Sequence, residues 1–302
     1  MPICGGLSMF NGLSSTASWS LGVTIILITF YALYLIMLRL AFIRAKRSSE
    51  KRPVSILRIV AFSLGILLAA FLLLSPINTI ARTQLFSMHM AQAVALTTVC
   101  APLIIAGWPA SMLRPVDETP IVRTIVRFLL SPLVASVLFN FSFLLWHAPL
   151  IYSTVMNNPT LYHIMMLSIF FASVLNWWPL IGSQHERHKL SLPMQMLYAF
   201  FDGQPVDIFA FILVFSGVAI YPQYVIPPQL HLSPFGDQTV AGALLLIPGL
   251  VDLGVMSPLF VRWLGQLEER TKLEDIRRQL EREQTEEDEE DIGVDRRMHL
   301  ET

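Results

Sequence analysis

The sequence predicts an all-α polytopic membrane protein, a bundle of seven transmembrane helices with its N-terminus outside and its C-terminus in the cytoplasm. Three observations carry this prediction. Hydrophobic residues make up 54% of the 302 positions and charged residues only 14%, where a soluble domain carries charge at about a quarter of its positions. The apolar residues gather into seven runs, each near or above the ~18 residues needed to cross ~30 Å of hydrocarbon. The basic residues fall almost wholly on one side of those crossings, the side that the positive-inside rule assigns to the cytoplasm.

The runs are Trp19–Leu40, Ile56–Ser75, Leu85–Trp108, Phe128–Trp146, Leu161–Ile181, Pro193–Tyr221 and Thr239–Leu264. Pro76, Pro109, Pro149, Pro159 and Pro193 stand at or near their ends, where a missing amide donor does least harm. The chain therefore divides into a short external segment (1–18), a transmembrane domain (19–264) and an acidic cytoplasmic tail (265–302). No Lys or Arg precedes Arg39, so the first run lacks the basic start of a cleavable signal and reads as a retained span.

Direction comes from Arg39, Arg44, Lys46, Arg47, Lys51, Arg52 and Arg58 around the first loop, Arg114, Arg123 and Arg127 around the third, and Arg187 and Lys189 in the fifth. Of the 21 basic residues only Arg82 falls on the other side. Fourteen of the 22 acidic residues lie beyond Gly265. There Leu273, Ile276 and Leu280 keep a helical spacing, and the Glu-rich run after them predicts disorder. An acidic tail on a membrane-embedded body excludes nucleic acid as partner. Cys4 and Cys100 are too few for a disulfide framework or a zinc ribbon. With no P-loop, dinucleotide fingerprint or Ser/His/Asp arrangement, nothing points to an enzyme.

With direction fixed, depth follows at ~1.5 Å per residue. His89 lies a turn inside the outer end of the third run, between Met88 and Met90. His147 ends the fourth run, and His163 begins the fifth. Three imidazoles on three helices thus share one layer, with His231 in a loop able to fold over them. His185, His188 and His299 lie on the inner side. A single interfacial histidine is most often a hydrogen-bonding group. Three at one height, with Met90 and Met166 in the same layer, make a candidate metal site. Imidazole and thioether without carboxylate favour copper, above all Cu(I).

The apolar cores hold three further ionisable residues, Asp202, Asp207 and Asp252. A charged Asp at mid-bilayer costs about 2.5–3.5 kcal/mol, so each must be protonated, paired or facing a polar cavity. On a regular helix Asp202 and Asp207 point ~140° apart, and Pro205 between them is a potential kink. Two readings stay open: a proton or ion path, or a hydrogen-bond network with Asn140, Asn176, Gln204 or Asp252 that locks the helices together. Asp237, just before the last run, is placed to cap that helix.

The segments "MHMAQ", "WHAPLIYSTVMNNP", "NWWPLIG", "YPQY" and "LSPFGDQTVAG" follow one another in this order. From about Leu85 to Leu264 the chain resembles the CtaG-type cytochrome c oxidase assembly proteins. The resemblance implies a bacterial inner-membrane assembly factor, a scaffold or metallochaperone that helps place copper in the haem-copper centre. Its expected partners are cytochrome c oxidase subunit I or a copper donor protein, within the lipid bilayer. His147, Trp177, Trp178, Pro179, Asp237, Gln238 and Gly242 match the family pattern. Ala93 and Met166 stand where the family usually has histidine, and a methionine at 166 preserves a Cu(I) ligand. The site so expected is His89, His147 and His163, helped by Met166 or Met90. The alternatives are a metal or proton transporter using the intramembrane aspartates, or a haem-binding membrane protein.

Overall fold

The computed structural model describes residues 20–47, 54–108, 119–182 and 190–298. Cys4, His185, His188 and His299, with Lys51, Arg52, Arg114, Arg187 and Lys189, lie outside the described residues. Twelve α-helices are present among the described residues: α1 Leu21–Arg47, α2 Ile56–Leu74, α3 Pro76–Thr83, α4 Phe86–Val94, α5 Ala101–Ala106, α6 Pro120–Leu129, α7 Pro132–Trp146, α8 Pro149–Met156, α9 Pro159–Ile181, α10 Leu192–Phe215, α11 Pro234–Leu245 and α12 Ile247–Met298. Helices α3, α6, α7, α8, α9 and α11 each begin on a proline, whose fixed φ suits a first turn and whose missing donor is not needed there.

Among the described residues six stretches are long and apolar enough to cross a membrane, and a seventh crossing results if the bent pair α6 and α7 counts as one. That pair corrects the expected run Phe128–Trp146. The chain turns by 61° between Leu129 and Pro132, because Pro132 cannot donate to the turn before it. Helix α6 has no buried residue and carries Arg123 and Arg127. The sixth crossing ends at Phe215 rather than Tyr221, and residues 216–233 form a loop closed by a 3₁₀ turn at Pro228–Leu230. Helix α12 continues to Met298, past the point where acidic composition predicts that order ends. Its exposed turns carry pairs one turn apart, Lys272 with Glu268 and Arg277 with Glu281, which support a solvated helix.

Helices α4 and α5 form the central crossing, the most deeply buried of the apolar stretches, whereas α1 is mostly exposed. They are joined by a π-helical segment, Ala95–Cys100. Pro102 lacks the amide that would close a regular turn on the Thr98 carbonyl, and the wider turn absorbs that loss. In that wider turn the Ala101 amide bonds to Leu96 O, which frees the Thr97 carbonyl to accept the indole N–H of Trp177 at 2.7 Å. Trp177 therefore ties α9 to the central crossing, a role beyond the interfacial anchoring its position suggests.

The burial pattern is that of a protein solvated by lipid. Ile25, Leu33, Leu64, Leu67, Phe211 and Leu253 are exposed, while His89, Gln92, Asn140, Asn176, Asp237 and Gln238 are buried. Helix α11 packs against both α4 and α10. Gly242 makes this possible, since a Cβ there would sit 2.8 Å from the Ala210 carbonyl oxygen of α10.

Candidate functional site

At one end of the bundle a buried chain of polar side chains joins five elements. His89 belongs to the first turn of α4, His147 is the residue that ends α7, and Tyr162 lies in the first turn of α9. The Nε2 atoms of His89 and His147 are 3.0 Å apart. His147 Nδ1 donates to the Phe143 carbonyl at 2.7 Å, and His89 Nδ1 lies 2.8 Å from the Tyr162 hydroxyl. Tyr162 donates in turn to Gln92 Oε1 at 2.8 Å. The Gln92 amide nitrogen is committed to Leu72 O and Asn78 Oδ1, at 2.8 and 3.1 Å. Both imidazoles of the pair are essentially inaccessible, at 0% and 1% exposure.

Hydrogens can be counted along this chain. From Gln92 Oε1 to Phe143 O there are four contacts, and both ends are acceptors. Tyr162 supplies one hydrogen and each neutral imidazole one, so one contact lacks a hydrogen. Phe143 O fixes the hydrogen of His147 on Nδ1, so His147 Nε2 is a bare acceptor facing His89. When Tyr162 donates to Gln92, His89 Nδ1 donates to Tyr162 and two Nε2 lone pairs face each other; when Tyr162 turns to His89 Nδ1, His89 Nε2 donates to His147 and Gln92 Oε1 lacks its donor.

The structure brings together two of the three layered histidines. His163 shares their height but turns away: its Nε2 faces Asn78 Nδ2 at 3.2 Å, and it meets the pair only through Asn78, Gln92 and Tyr162. Among the described residues no group of three or more His, Cys, Asp or Glu is placed to hold a metal ion. The reason is azimuth. Successive residues on a helix point about 100° apart, and on α9 it is Tyr162 that faces His89. Met90 and Met166 are fully buried in the apolar core, and neither thioether is hydrogen-bonded to the imidazoles. Met166 lies one turn deeper than Tyr162 on the same face of α9. His231 does not fold over the pair; it is exposed, with a left-handed φ of 48°. A roof of aromatic rings covers the histidines instead. Phe86 meets Tyr221 at a tilt with 4.4 Å between centroids, Tyr152 stands 4.9 Å from Tyr221, and the Tyr152 and Tyr224 hydroxyls are hydrogen-bonded.

Two adjacent residues hold this arrangement in place. Asp237 does not cap its own helix, whose N-cap is Ser233. Its carboxylate reaches across to the start of α4 and accepts from the amides of Phe86 at 2.6 Å and Ser87 at 3.2 Å, and from the Ser87 hydroxyl. The N-cap position of α4 is Leu85, which has no side chain able to cap, so the cap arrives from a residue 150 positions away. Gln238 holds the other arm. Its Oε1 accepts from the Ile220 and Tyr221 amides, its nitrogen donates to Leu213, Ser216 and Val218, and the Tyr221 hydroxyl donates to the His147 carbonyl. Asp237 thus orients the helix of His89, and Gln238 the loop that grips His147.

Nearer the other end, Asp202, Asp207 and Asp252 line a cavity of about 50 Å³ with Thr97, Thr98 and Trp177. Asp202 accepts from Asn140 at 3.1 Å and from Asn176 at 2.5 Å. Pro205 does not break α10, which runs unbroken through it. The aspartates reach one cavity because Gly203 leaves space for them: a Cβ there would lie 3.1 Å from Asp252 Oδ2 and 3.7 Å from Asp207 Oδ2.

No curated protein and no solved structure matches the chain. The family model described as cytochrome c oxidase caa3 assembly factor matches residues 32–266. That match spans the whole helical bundle, from within α1 to the part of α12 that leaves it, and includes every residue of the histidine chain. The protein is a membrane protein, and it belongs to the cytochrome c oxidase caa3 assembly factor family.

Proposed function

We propose that the protein assists oxidase assembly by holding one Cu(I) ion as cargo between His89 and His147, at the outer face of a bacterial inner membrane. The observation that supports this is the pair of facing Nε2 atoms, 3.0 Å apart and buried, in a chain of four contacts that holds only three hydrogens. Cu(I) accepts few, soft ligands, and neutral imidazole is among them. Metal–imidazole bonds of about 2.0 Å would set a near-linear pair about 4 Å apart, so loading parts the rings by about 1 Å. Met166, one turn below Tyr162 on α9, or Met90, next to His89 on α4, is the thioether that would assist as a third ligand. The outer placement rests on the basic residues at the opposite end of the bundle. The oxidase subunit that carries the haem-copper centre is then the recipient, and the protein acts as a chaperone rather than an enzyme.

The test is copper stoichiometry after reconstitution with Cu(I) under reducing conditions. Wild type binds one equivalent, His89→Ala and His147→Ala each lose it, and His163→Ala keeps it. Equal retention by all three variants removes the site. Haem–copper oxidase activity in cells carrying each variant then separates a copper role from scaffolding alone.

A further inference from the structure

The end of the bundle opposite the histidines has a second feature. A groove of about 600 Å³ lies between the first turn of α10 and the part of α12 that leaves the membrane. It is lined by Ser191, Gln195, Arg262, Trp263, Gln266 and Arg270, among others. We propose that this groove binds the headgroup of an anionic phospholipid.

Charge is the first ground. Arg262, Gln266 and Arg270 follow one another at intervals of four residues, so they form one stripe on α12. Position 266 is a turn from both arginines, where a carboxylate would neutralise each, and it is occupied by glutamine. Further along the same helix Lys272, Arg277 and Arg278 pair with Glu268, Glu281 and Asp275. Among the described residues Arg262 and Arg270 make no such pair, Arg270 not even with Glu274 one turn on, and no carboxylate lines the groove, which is left positive.

Depth is the second ground. The last apolar stretch ends at about Leu264, so Trp263 stands where aromatic side chains mark the headgroup level. Leu190, Leu192 and Leu267 line the same groove, an apolar border for the first carbons of an acyl chain. A phosphate of net negative charge meets two guanidiniums, two amides and the Ser191 hydroxyl, which caps no amide of its own helix. Basic pockets between transmembrane helices take anionic headgroups in this way.

Native mass spectrometry of the full chain, titrated with phosphatidylglycerol or phosphatidylcholine, tests the proposal. Phosphatidylglycerol is expected to bind first and more tightly. Each arginine near a membrane surface is worth about fivefold, so the Arg262→Gln, Arg270→Gln double variant should weaken it about 25-fold. Both positions are exposed, so folding is not at stake; an Arg277→Gln, Arg278→Gln control should leave binding unchanged. Equal affinity for the two lipids, or an unaffected double variant, overturns the proposal. Displacement of the lipid by millimolar inorganic phosphate does so too, since it would make the groove a site for free anions.

Discussion

Replacing Asp237 by alanine removes the acceptor for the first two amides of α4 and for the Ser87 hydroxyl. A helix cap is worth about 1 kcal/mol, and about 2 at most. This one is a buried carboxylate, and hydrogen bonds to charged groups contribute about 1.5–3 kcal/mol each. The Phe86 contact, at 2.6 Å, belongs at the upper end of that range, and the Ser87 amide contact, at 3.2 Å, at the lower. Allowing for relaxation of the freed donors toward other acceptors, Asp237→Ala should cost about 3–5 kcal/mol. Asp237→Asn keeps one oxygen for Phe86 but turns an NH₂ toward Ser87, and should cost about half as much. Ser87→Ala loses only the hydroxyl contact, worth about 1 kcal/mol. Unfolding in mixed micelles by SDS titration ranks the three, and hydrogen exchange at residues 86–89 reports whether α4 loosens at the turn that carries His89. An Asp237→Ala loss below 1 kcal/mol, or an equal loss for Asn and Ala, would refute the long-range cap.

Tyr162→Phe cuts the link from Gln92 to His89 without touching the histidine pair; stability should fall by about 1–2 kcal/mol while copper stoichiometry stays at one, and loss of copper would move the ligand role onto the phenol. In Gly242→Ala the new methyl meets the Ala210 carbonyl oxygen at 2.8 Å, so α11 must shift from α10 at a cost of about 1–3 kcal/mol; an unchanged unfolding midpoint would show that the two helices are not held so closely. Trp177→Phe leaves the Thr97 carbonyl without its donor and should cost about 1–2 kcal/mol, read by the same titration, with no loss of copper because the histidines lie at the other end.

Hydropathy made the crossings legible, because lipid demands long apolar runs whatever the tertiary structure. It failed at Phe128–Trp146, where "FLLSPL" stays apolar through a turn that only Pro132 betrays. Depth along each helix was also legible, and it put His89, His147 and His163 at one height. Facing direction was not, because the rotation of one helix against another is set by packing, so Tyr162 and not His163 meets His89. Asn78 was missed for a related reason. It sits on α3, a short helix between two crossings that no apolar run marks, although an asparagine in "SPINTIART" is a polar group in search of a partner.

Asp237 shows the limit of local rules. Capping patterns look a few residues along the chain, and Ser233 satisfies the local need of α11. The available cue was at the other end of the contact: "QLFSMH" starts a buried helix with no capping side chain of its own. Arg82, the one basic residue on the wrong side for the charge rule, is accounted for by a similar long-range contact. It donates to the Met156 carbonyl at 3.0 Å, at the end of α8, where a cation is favoured.

The central claim is that the facing nitrogens of His89 and His147 take up a soft cation. X-ray absorption at the copper edge, on purified protein loaded with Cu(I), tests it most directly. Two nitrogen scatterers at about 2 Å are expected; a sulfur contribution that disappears in Met166→Leu or Met90→Leu would add a thioether as a third ligand. A spectrum unchanged in the His89→Ala, His147→Ala double variant, or protein that retains no copper at all, would contradict it.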